Sequence, residues 1–388
     1  MNIMKYNMLV ISDIHWGAVE AKTLYSNLSI VLDTIREMKN NLDMVVICGD
    51  YFDYKLTLNS KSALFALQWM DELVNCCKEN NIKKIRVVKG THEHDNNQLE
   101  AFRVYEDDDS YYKIFTENTI EETLPNMKCM YCPDELIATD EYMKKYMKNI
   151  MSIPDIGFFH GSFDIVLPDI VVQHSNESHN RNVIFSYGTF SSLIKGPMIA
   201  GHWHTMYFEN PLLYTGSFDR WVFGEEEPKG FIILQYDTDS HEYSYIQIEN
   251  TKAKRYDTII VDTSNITTTA DYAELISNIE EKYDLENNRL RVKILKSTST
   301  ETDDDLINTF KKYFINNKNV KIEVKDLEKK KEKTKKKNQL VDLTNKYGFI
   351  FDPNISIAEK YQQWIYENKN KSIPIDNINK ILSKYIGE

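Results

Sequence analysis

No apolar run in this chain of 388 residues approaches the length of a membrane-spanning helix, which needs about 20 residues. The N-terminus also lacks the hydrophobic core and cleavage site of a secretory leader. Cysteine is scarce: five residues are scattered along the chain, and the pair Cys129 and Cys132 is not matched by a second pair at that spacing. We therefore interpret the cysteines as reduced, buried thiols and expect a cytoplasmic protein. The Lys-, Asn- and Ile-rich composition favours a bacterial or phage source.

Positive charge is also scarce: the chain has 47 Lys and Arg residues and 59 Asp and Glu residues, so its net charge is -12. A protein that coats nucleic acid by itself is disfavoured, because phosphate contacts need a basic surface. A metal-dependent DNA enzyme is still allowed. Carboxylates gathered around metal ions lower the formal charge, and the ions restore a positive potential locally.

Three apolar runs predict the core of the first half of the chain. Residues 7–13, 43–48 and 84–89 are typical of buried strands, and the segments 23–39 and 60–80 between them have helical spacing. This alternation predicts an α/β fold with a parallel sheet. Further strand-like runs follow at 156–160, 183–187, 197–201, 212–215 and 230–236.

The character of the sequence changes near residue 237, so we assign a first domain to residues 1–237. Residues 250–327 have a β-α-β-α-β pattern that predicts a separate small α/β domain. Residues 328–340 form a basic linker, and residues 341–388 are predicted to contain two short helices. The first of these helices has an apolar face, which must be buried on its own protein or on a partner.

Residues with metal-binding side chains follow five of the predicted strands. These clusters contain Asp13 and His15; Asp50 and Asp53; His92, Glu93, His94 and Asp95; His160; and His202 and His204. Polar residues beyond the carboxyl ends of parallel strands gather at one edge of the sheet. Carboxylates mixed with imidazoles suit a pair of manganese, iron or zinc ions, and Asp50 could bridge the two. Six of the nine histidines lie in these clusters, whereas His174, His179 and His241 are interpreted as ordinary loop residues.

The order of these motifs over about residues 7–235 resembles the calcineurin-like metallophosphoesterases. The segment 213–230, which reads Leu-Tyr-Thr-Gly-Ser-Phe-Asp-Arg-Trp-Val-Phe-Gly-Glu-Glu-Glu-Pro-Lys-Gly, resembles the end of the nuclease domain of SbcD-type exonucleases. This resemblance implies a two-layer sandwich of β-sheets flanked by helices, with the small α/β domain as a DNA-capping domain. It further implies that the C-terminal helices dock on an SbcC-type coiled-coil ATPase.

The resemblance also implies two divalent metal ions, for which manganese is expected. The first ion would be held by Asp13, His15, Asp50 and His204. The second would be held by Asp50, His160 and His202, together with one ligand from the loop that follows Gly90.

The loop after Gly90 departs from the family pattern, because Thr91 stands where the family has Asn. In one alignment, His92 is the catalytic histidine. In the other, which we favour because it supplies a carboxylate ligand, Glu93 binds metal and His94 is catalytic. A second departure is Asp53, at a place where SbcD-type nucleases often have His, and we include it among the catalytic candidates.

The function implied by the resemblance is a two-metal DNA nuclease, the nuclease subunit of an SbcC/SbcD-type complex. Helix 60–80 and segment 97–106 correspond in place to the family's dimer-forming helices, but their apolar faces could equally pack inward. Arg220 and Arg103 are candidates for contacts with DNA phosphates. Either arginine could instead be an ordinary ion-pairing residue. Two other functions stay open: a protein phosphatase or small phosphodiesterase of the same superfamily, and a non-catalytic scaffold.

Overall fold

The computed structural model describes the following residues: 4–107, 110–134, 153–167, 184–263, 266, 268–286, 288–296, 301–326, 359, 362 and 374–377. The predicted basic linker lies outside the described residues. So do His174, His179 and, apart from the isolated positions just given, the predicted C-terminal helices. No helix in the described ranges is both long enough and apolar enough to cross a membrane.

The first sheet has six strands, of which four are parallel. The parallel strands are β1 (Lys5–Ile11), β2 (Met44–Cys48), β3 (Lys84–Val88) and β4 (Tyr112–Phe115). On the other side of β1, the strands β13 (Gly230–Asp237) and β14 (Tyr243–Glu249) add in antiparallel fashion. The first sheet therefore extends beyond residue 237, because β14 pairs along the whole of β13.

The second sheet also has six strands. Its strands are β5 (Thr119–Leu124), β6 (Met127–Cys132), β7 (Ile156–His160), β10 (Met198–Gly201), β11 (Tyr207–Glu209) and β12 (Leu212–Tyr214). Parallel pairing joins β6 to β7, β7 to β10 and β10 to β12. A separate pair is formed by β8 (Ser162–Phe163) and β9 (Ile184–Phe185).

The central strands are buried on both faces, which explains why their sequences are apolar throughout. On β1, Met8 and Val10 face the second sheet and pack in a core that includes Phe158. Leu9 and Ile11 face the opposite way, into a second core beneath the helices. A strand that is buried on both faces has no polar side to alternate with, so it reads as a continuous apolar run.

Helices cover the outer face of the first sheet. They are α1 (Ala21–Asn27), α2 (Ser29–Glu37) and α3 (Lys61–Glu79). The segment predicted as one helix over 23–39 is two helices, which meet at Leu28. The outer face of the second sheet is covered by α4 (Tyr187–Ser191) and by the phenylalanines around Phe159. The predicted fold class is confirmed: the protein is a mixed α/β sandwich of two six-stranded sheets flanked by helices.

Among the described residues, those between 258 and 285 and those from 290 to 326 belong to a second compact unit. Its elements are α5 (Thr269–Lys282), α6 (Glu301–Tyr313) and a sheet of β15 (Tyr256–Asp262), β16 (Arg289–Lys296) and β17 (Val320–Asp326). Val292 and Phe310 lie in its core. The order of elements is the β-α-β-α-β order that the sequence predicts, while the role of this unit as a cap over DNA stays a prediction.

Candidate metal centre

Metal-binding side chains meet at one edge of the sandwich because their strands run parallel and end there. They follow β1 (Asp13 and His15), β2 (Asp50) and β10 (His202 and His204), or end β7 (His160). Four of these residues have a positive φ: 52° at Asp13, 53° at His15, 48° at Asp50 and 93° at His202. A left-handed backbone is unfavourable for residues other than glycine and is concentrated at functional sites. The turns after these strands are therefore strained in a way that aims the side chains inward.

The first group of ligand atoms comes from Asp13, His15 and His204. The Nε2 atoms of the two histidines lie 3.1 Å apart, and each lies 3.9 Å from Asp13 Oδ1. Two imidazole nitrogens that each present a lone pair at this distance repel one another unless a cation is shared between them. This convergence of donors fits a divalent metal ion.

Glu225 fixes the orientation of His204. The Nδ1 of His204 donates to Glu225 Oε1 at 2.7 Å, which leaves its Nε2 free to bind metal. Glu225 also accepts from the backbone N–H of Trp221 at 2.8 Å, and Lys229 Nζ donates to the His204 carbonyl at 2.6 Å. Sequence reasoning missed Glu225 and Lys229. Their only signal was that both lie in the segment 213–230.

The imidazole ring of His15 is held in place less firmly than that of His204. Its Nδ1 lies 3.2 Å from Asp53 Oδ1, which is an ion-pair distance, but the atom has no aligned hydrogen-bond partner. Asp53, a predicted catalytic residue, therefore contacts the ring nitrogen of His15 that does not face the other donors. His15, Asp53 and His94 together form another group of converging donors.

The second group of ligand atoms comes from Asp50, His160 and His202. His160 donates from Nδ1 to the Cys48 carbonyl at 2.8 Å and places its Nε2 3.1 Å from Asp50 Oδ1. The other oxygen of Asp50, Oδ2, lies 3.9 Å from His15 Nε2 in the first group. One carboxylate thus faces both groups, as a bridging ligand must.

The two buried partners Asp50 and His160 hold each other charged. Burial opposes ionisation of Asp50, but the imidazoles of His160, His15 and His94 outweigh it and hold its pKa well below the usual range. Burial likewise lowers the pKa of His160, and the Asp50 carboxylate reverses the effect and raises that pKa to about 10. For His202, burial and the nearby His160 lower the pKa to about 4. A divalent ion held by this group would take the place of the proton on His160.

The loop after Gly90 brings Thr91 to the second group. The backbone N–H of Thr91 donates to Asp50 Oδ1 at 2.6 Å. Its hydroxyl oxygen lies 3.2 Å from Asp50 Oδ2, 3.3 Å from His160 Nε2 and 3.4 Å from His202 Nδ1. Thr91 therefore lies where the sequence places a metal ligand of this loop.

Glu93, the ligand that the favoured alignment predicts, is not brought to the site. Its side chain is exposed, and it belongs to none of the three groups of converging donors found among the described residues. The loop turns tightly here, since the N–H groups of His94 and Asp95 both donate to the Thr91 carbonyl. This turn points Glu93 outward. Asp95 is buried and accepts from the backbone N–H of Phe52 at 3.0 Å and of Gly90 at 2.6 Å, which makes it a support for the loop.

Of the two candidate catalytic histidines, the structure places His94 at the site and His92 outside it. The Nε2 of His94 lies 4.0 Å from Asp50 Oδ2, and its ring lies 4.9 Å from the ring of His15. Its Nδ1 bonds the carbonyl of Asp53, and the side chain is 32% exposed. His92 is exposed and belongs to no group of donors among the described residues.

Neither predicted DNA-contacting arginine presents a free guanidinium. Arg220 donates to the carbonyls of Glu225 and Glu227, both at 2.9 Å, and makes longer bonds to two further carbonyls. Arg103 pairs with Glu100 at 2.6 Å and with Glu106 at 2.9 Å. Arg220 thus holds the segment that carries Glu225, and Arg103 has the ion-pairing arrangement that the sequence left open.

A comparison with known protein families agrees with this geometry. The calcineurin-like phosphoesterase family matches residues 6–224, which is more than half of the chain. The chain belongs to the calcineurin-like phosphoesterase family. The matched region contains every residue of the three donor groups, and these carboxylates and imidazoles fit divalent metal ions. The family and the site together define a metal-dependent phosphoester hydrolase.

Proposed function

We propose that the protein is a two-metal DNA nuclease, the nuclease subunit of an SbcC/SbcD-type recombination and repair complex. One observation carries the proposal. The segment 213–230, which resembles the SbcD-type nucleases, folds directly onto the metal centre. It supplies Glu225 to His204 Nδ1 and Lys229 to the His204 carbonyl. The part of the sequence that resembles these nucleases therefore contacts a donor of the metal centre, which supports the proposal.

Each side chain of the site has a distinct task in phosphodiester hydrolysis. The first group, Asp13, His15 and His204, would hold one ion, and Asp50, His160 and His202 would hold the other. Two bound divalent ions, for which we expect manganese, supply Lewis acidity and a nucleophile at neutral pH.

His94 is the residue that we assign to proton transfer. Its Nδ1 is engaged by the Asp53 carbonyl, so its Nε2 is the atom that faces the site. When protonated, that nitrogen can donate to an oxygen of the scissile phosphate or to the leaving oxygen. Partial exposure of the ring leaves room for substrate beside it.

We further propose a homodimer in which α3 and the 3₁₀ helix Gln98–Tyr105 contact a second copy of the chain. Large apolar side chains are exposed here: Leu64 is 56% exposed on α3, and Val104 is 79% exposed on the 3₁₀ helix. Leu58, just before α3, is 78% exposed. These exposed apolar side chains belong to, or immediately precede, two helices that contact each other, which supports an interaction surface. Association with an SbcC-type ATPase completes the proposal and supplies the DNA grip that a net charge of -12 disfavours.

Substrate profiling tests the proposal against the other members of the superfamily. The purified protein with manganese would be given linear duplex DNA, a phosphoserine peptide and a cyclic nucleotide. We expect nucleotide release from DNA, abolished by chelation and by Asp50→Asn. A preference for the phosphopeptide or the cyclic nucleotide would refute the nuclease proposal. Inactivity on all three substrates, with metal bound and the ATPase partner present, would favour the scaffold.

A further inference from the structure

The second metal group has no carboxylate that it does not share with the first. Its one carboxylate, Asp50, also faces the first group, and its other two donors are imidazoles. Thr91 adds only a neutral hydroxyl, which is a weaker ligand than a carboxylate or an amide oxygen. Divalent ions of this type take about four or more donors. A further oxygen donor close to Thr91 would complete this set.

Asp134 lies at the place where such an oxygen is needed. It follows β6, which runs parallel to β7, with Cys132 opposite Phe159, the residue before His160. The carboxyl end of β6 therefore lies at the same edge of the sandwich as His160. The backbone N–H of Asp134 donates to the Lys89 carbonyl at 3.3 Å, which ties it to the loop that carries Thr91.

The carboxylate of Asp134 contacts the second group through Thr91. It hydrogen-bonds with the Thr91 side chain and interacts electrostatically with His160 and Asp50. The Thr91 hydroxyl thus lies between Asp134 and the three donors Asp50, His160 and His202. Burial and the nearby Asp50 carboxylate disfavour the charge on Asp134. Asp134 and Asp50 thus lie on either side of one hydroxyl, where a divalent ion would offset the charge of both.

We propose that Asp134 is the carboxylate of the second metal site, and that together with the Thr91 hydroxyl it replaces the asparagine of the family loop. In this arrangement Thr91 donates its hydroxyl proton to Asp134 and turns its oxygen toward the ion. Because Asp134 belongs to none of the converging donor groups among the described residues, it would supply its negative charge through Thr91. The inference rests on the two-metal part of the proposed function and is independent of whether DNA is the substrate.

Manganese binding to the full chain tests this inference without an activity assay. Stoichiometry and affinity would be measured by calorimetry and by electron paramagnetic resonance of free Mn²⁺. We expect two ions in the wild type. In Asp134→Asn, we expect the affinity for one ion to fall by about 10–100-fold while the affinity for the other is unchanged. Adding Thr91→Asn to this variant restores the family's amide ligand and should recover most of the lost affinity.

Two controls separate a metal ligand from a structural residue. Asp155→Asn removes another buried carboxylate, one that lies before β7 and binds Lys195 and the Lys128 backbone at the opposite end of that strand. It should leave both metal affinities unchanged. Without metal, Asp134→Asn should unfold at the same temperature as the wild type or higher, because it removes like-charge repulsion with Asp50.

Each remaining outcome overturns the inference in a distinguishable way. If the wild type binds two ions and Asp134→Asn binds both as tightly as the wild type does, Asp134 is not part of the site, and the proposed function stands. If Thr91→Asn fails to restore binding to a folded Asp134→Asn variant, the replacement argument is wrong. If the wild type binds no manganese at all, both this inference and the proposed function fail.

Discussion

Removal of the Glu225 carboxylate should weaken both the fold and the first metal site. Glu225 is 7% exposed, and Lys229 beside it is 1% exposed, with 3.8 Å between Lys229 Nζ and Glu225 Oε2. Glu225→Ala would leave this lysine buried without its counter-ion, and removing one partner of a buried pair costs about 3–5 kcal/mol. The hydrogen bond to the Trp221 backbone, which contributes about 1 kcal/mol, is lost as well. The two losses need not be additive. We expect the free energy of unfolding to fall by about 3–5 kcal/mol.

The same substitution also frees His204 to rotate. Burial lowers the pKa of His204, and the Glu225 carboxylate more than compensates and raises it. Loss of such a supporting carboxylate typically lowers metal affinity by about 10–100-fold, or roughly 1.4–2.7 kcal/mol. Glu225→Gln keeps an oxygen that can accept from His204 and should have a smaller effect on both quantities.

Urea denaturation of the metal-free protein and manganese calorimetry measure these two effects separately. Glu226→Ala is the matched control, because this neighbouring carboxylate is exposed and should change neither quantity. In the double variant Glu225→Gln, Lys229→Met, the loss of stability should be smaller than the sum of the single losses. Wild-type stability and wild-type metal affinity in Glu225→Ala would refute the assigned role.

Three further predictions follow from the same geometry. Gly90→Ala should abolish the second metal site, measured as manganese stoichiometry, because its Cβ would lie 2.0 Å from the backbone nitrogen of Asp50. Manganese affinity should rise as the pH rises towards about 10, since the raised pKa of His160 keeps it protonated without metal, and binding must release that proton. Calorimetry at pH 7 in buffers of different ionisation enthalpy should therefore show at least about one proton released per chain, and no release would contradict the assignment. Arg220→Ala should lower the free energy of unfolding by about 2–3 kcal/mol, because carbonyl acceptors lose their donor. The salt dependence of DNA binding should not change in that variant, whereas a shallower slope would show that Arg220 contacts phosphate.

The edge on which the site is built could be predicted because each ligand directly follows a strand with a strong apolar signal. Asp13, Asp50 and His160 come at the ends of such strands, and parallel strands bring their carboxyl ends together. One strand that was missed, β5, has a weaker signal. β5 reads Thr-Ile-Glu-Glu-Thr-Leu and is largely half-buried, so it lacks both a continuous apolar run and a clean alternation.

The details of the site depend on contacts that sequence order does not reveal. Whether Thr91 or Glu93 faces the metal is decided by the turn that closes on the Thr91 carbonyl, and both residues have side chains with oxygen donors. The bond between His204 and Glu225 joins residues that are 21 positions apart, with the two strands β11 and β12 between them. Asp134 follows a strand, β6, that the sequence did not predict, so its place at the site could not be inferred.

The central claim is most directly tested by comparing His94→Ala with His92→Ala in manganese-dependent degradation of linear duplex DNA. The two residues lie in one loop, but only His94 lies at the metal centre, 4.0 Å from Asp50 Oδ2. We predict that His94→Ala keeps both ions and loses about 10²–10⁴ in turnover, while His92→Ala stays within about twofold of wild type. Full activity in His94→Ala, or an equal loss in His92→Ala, would contradict the account.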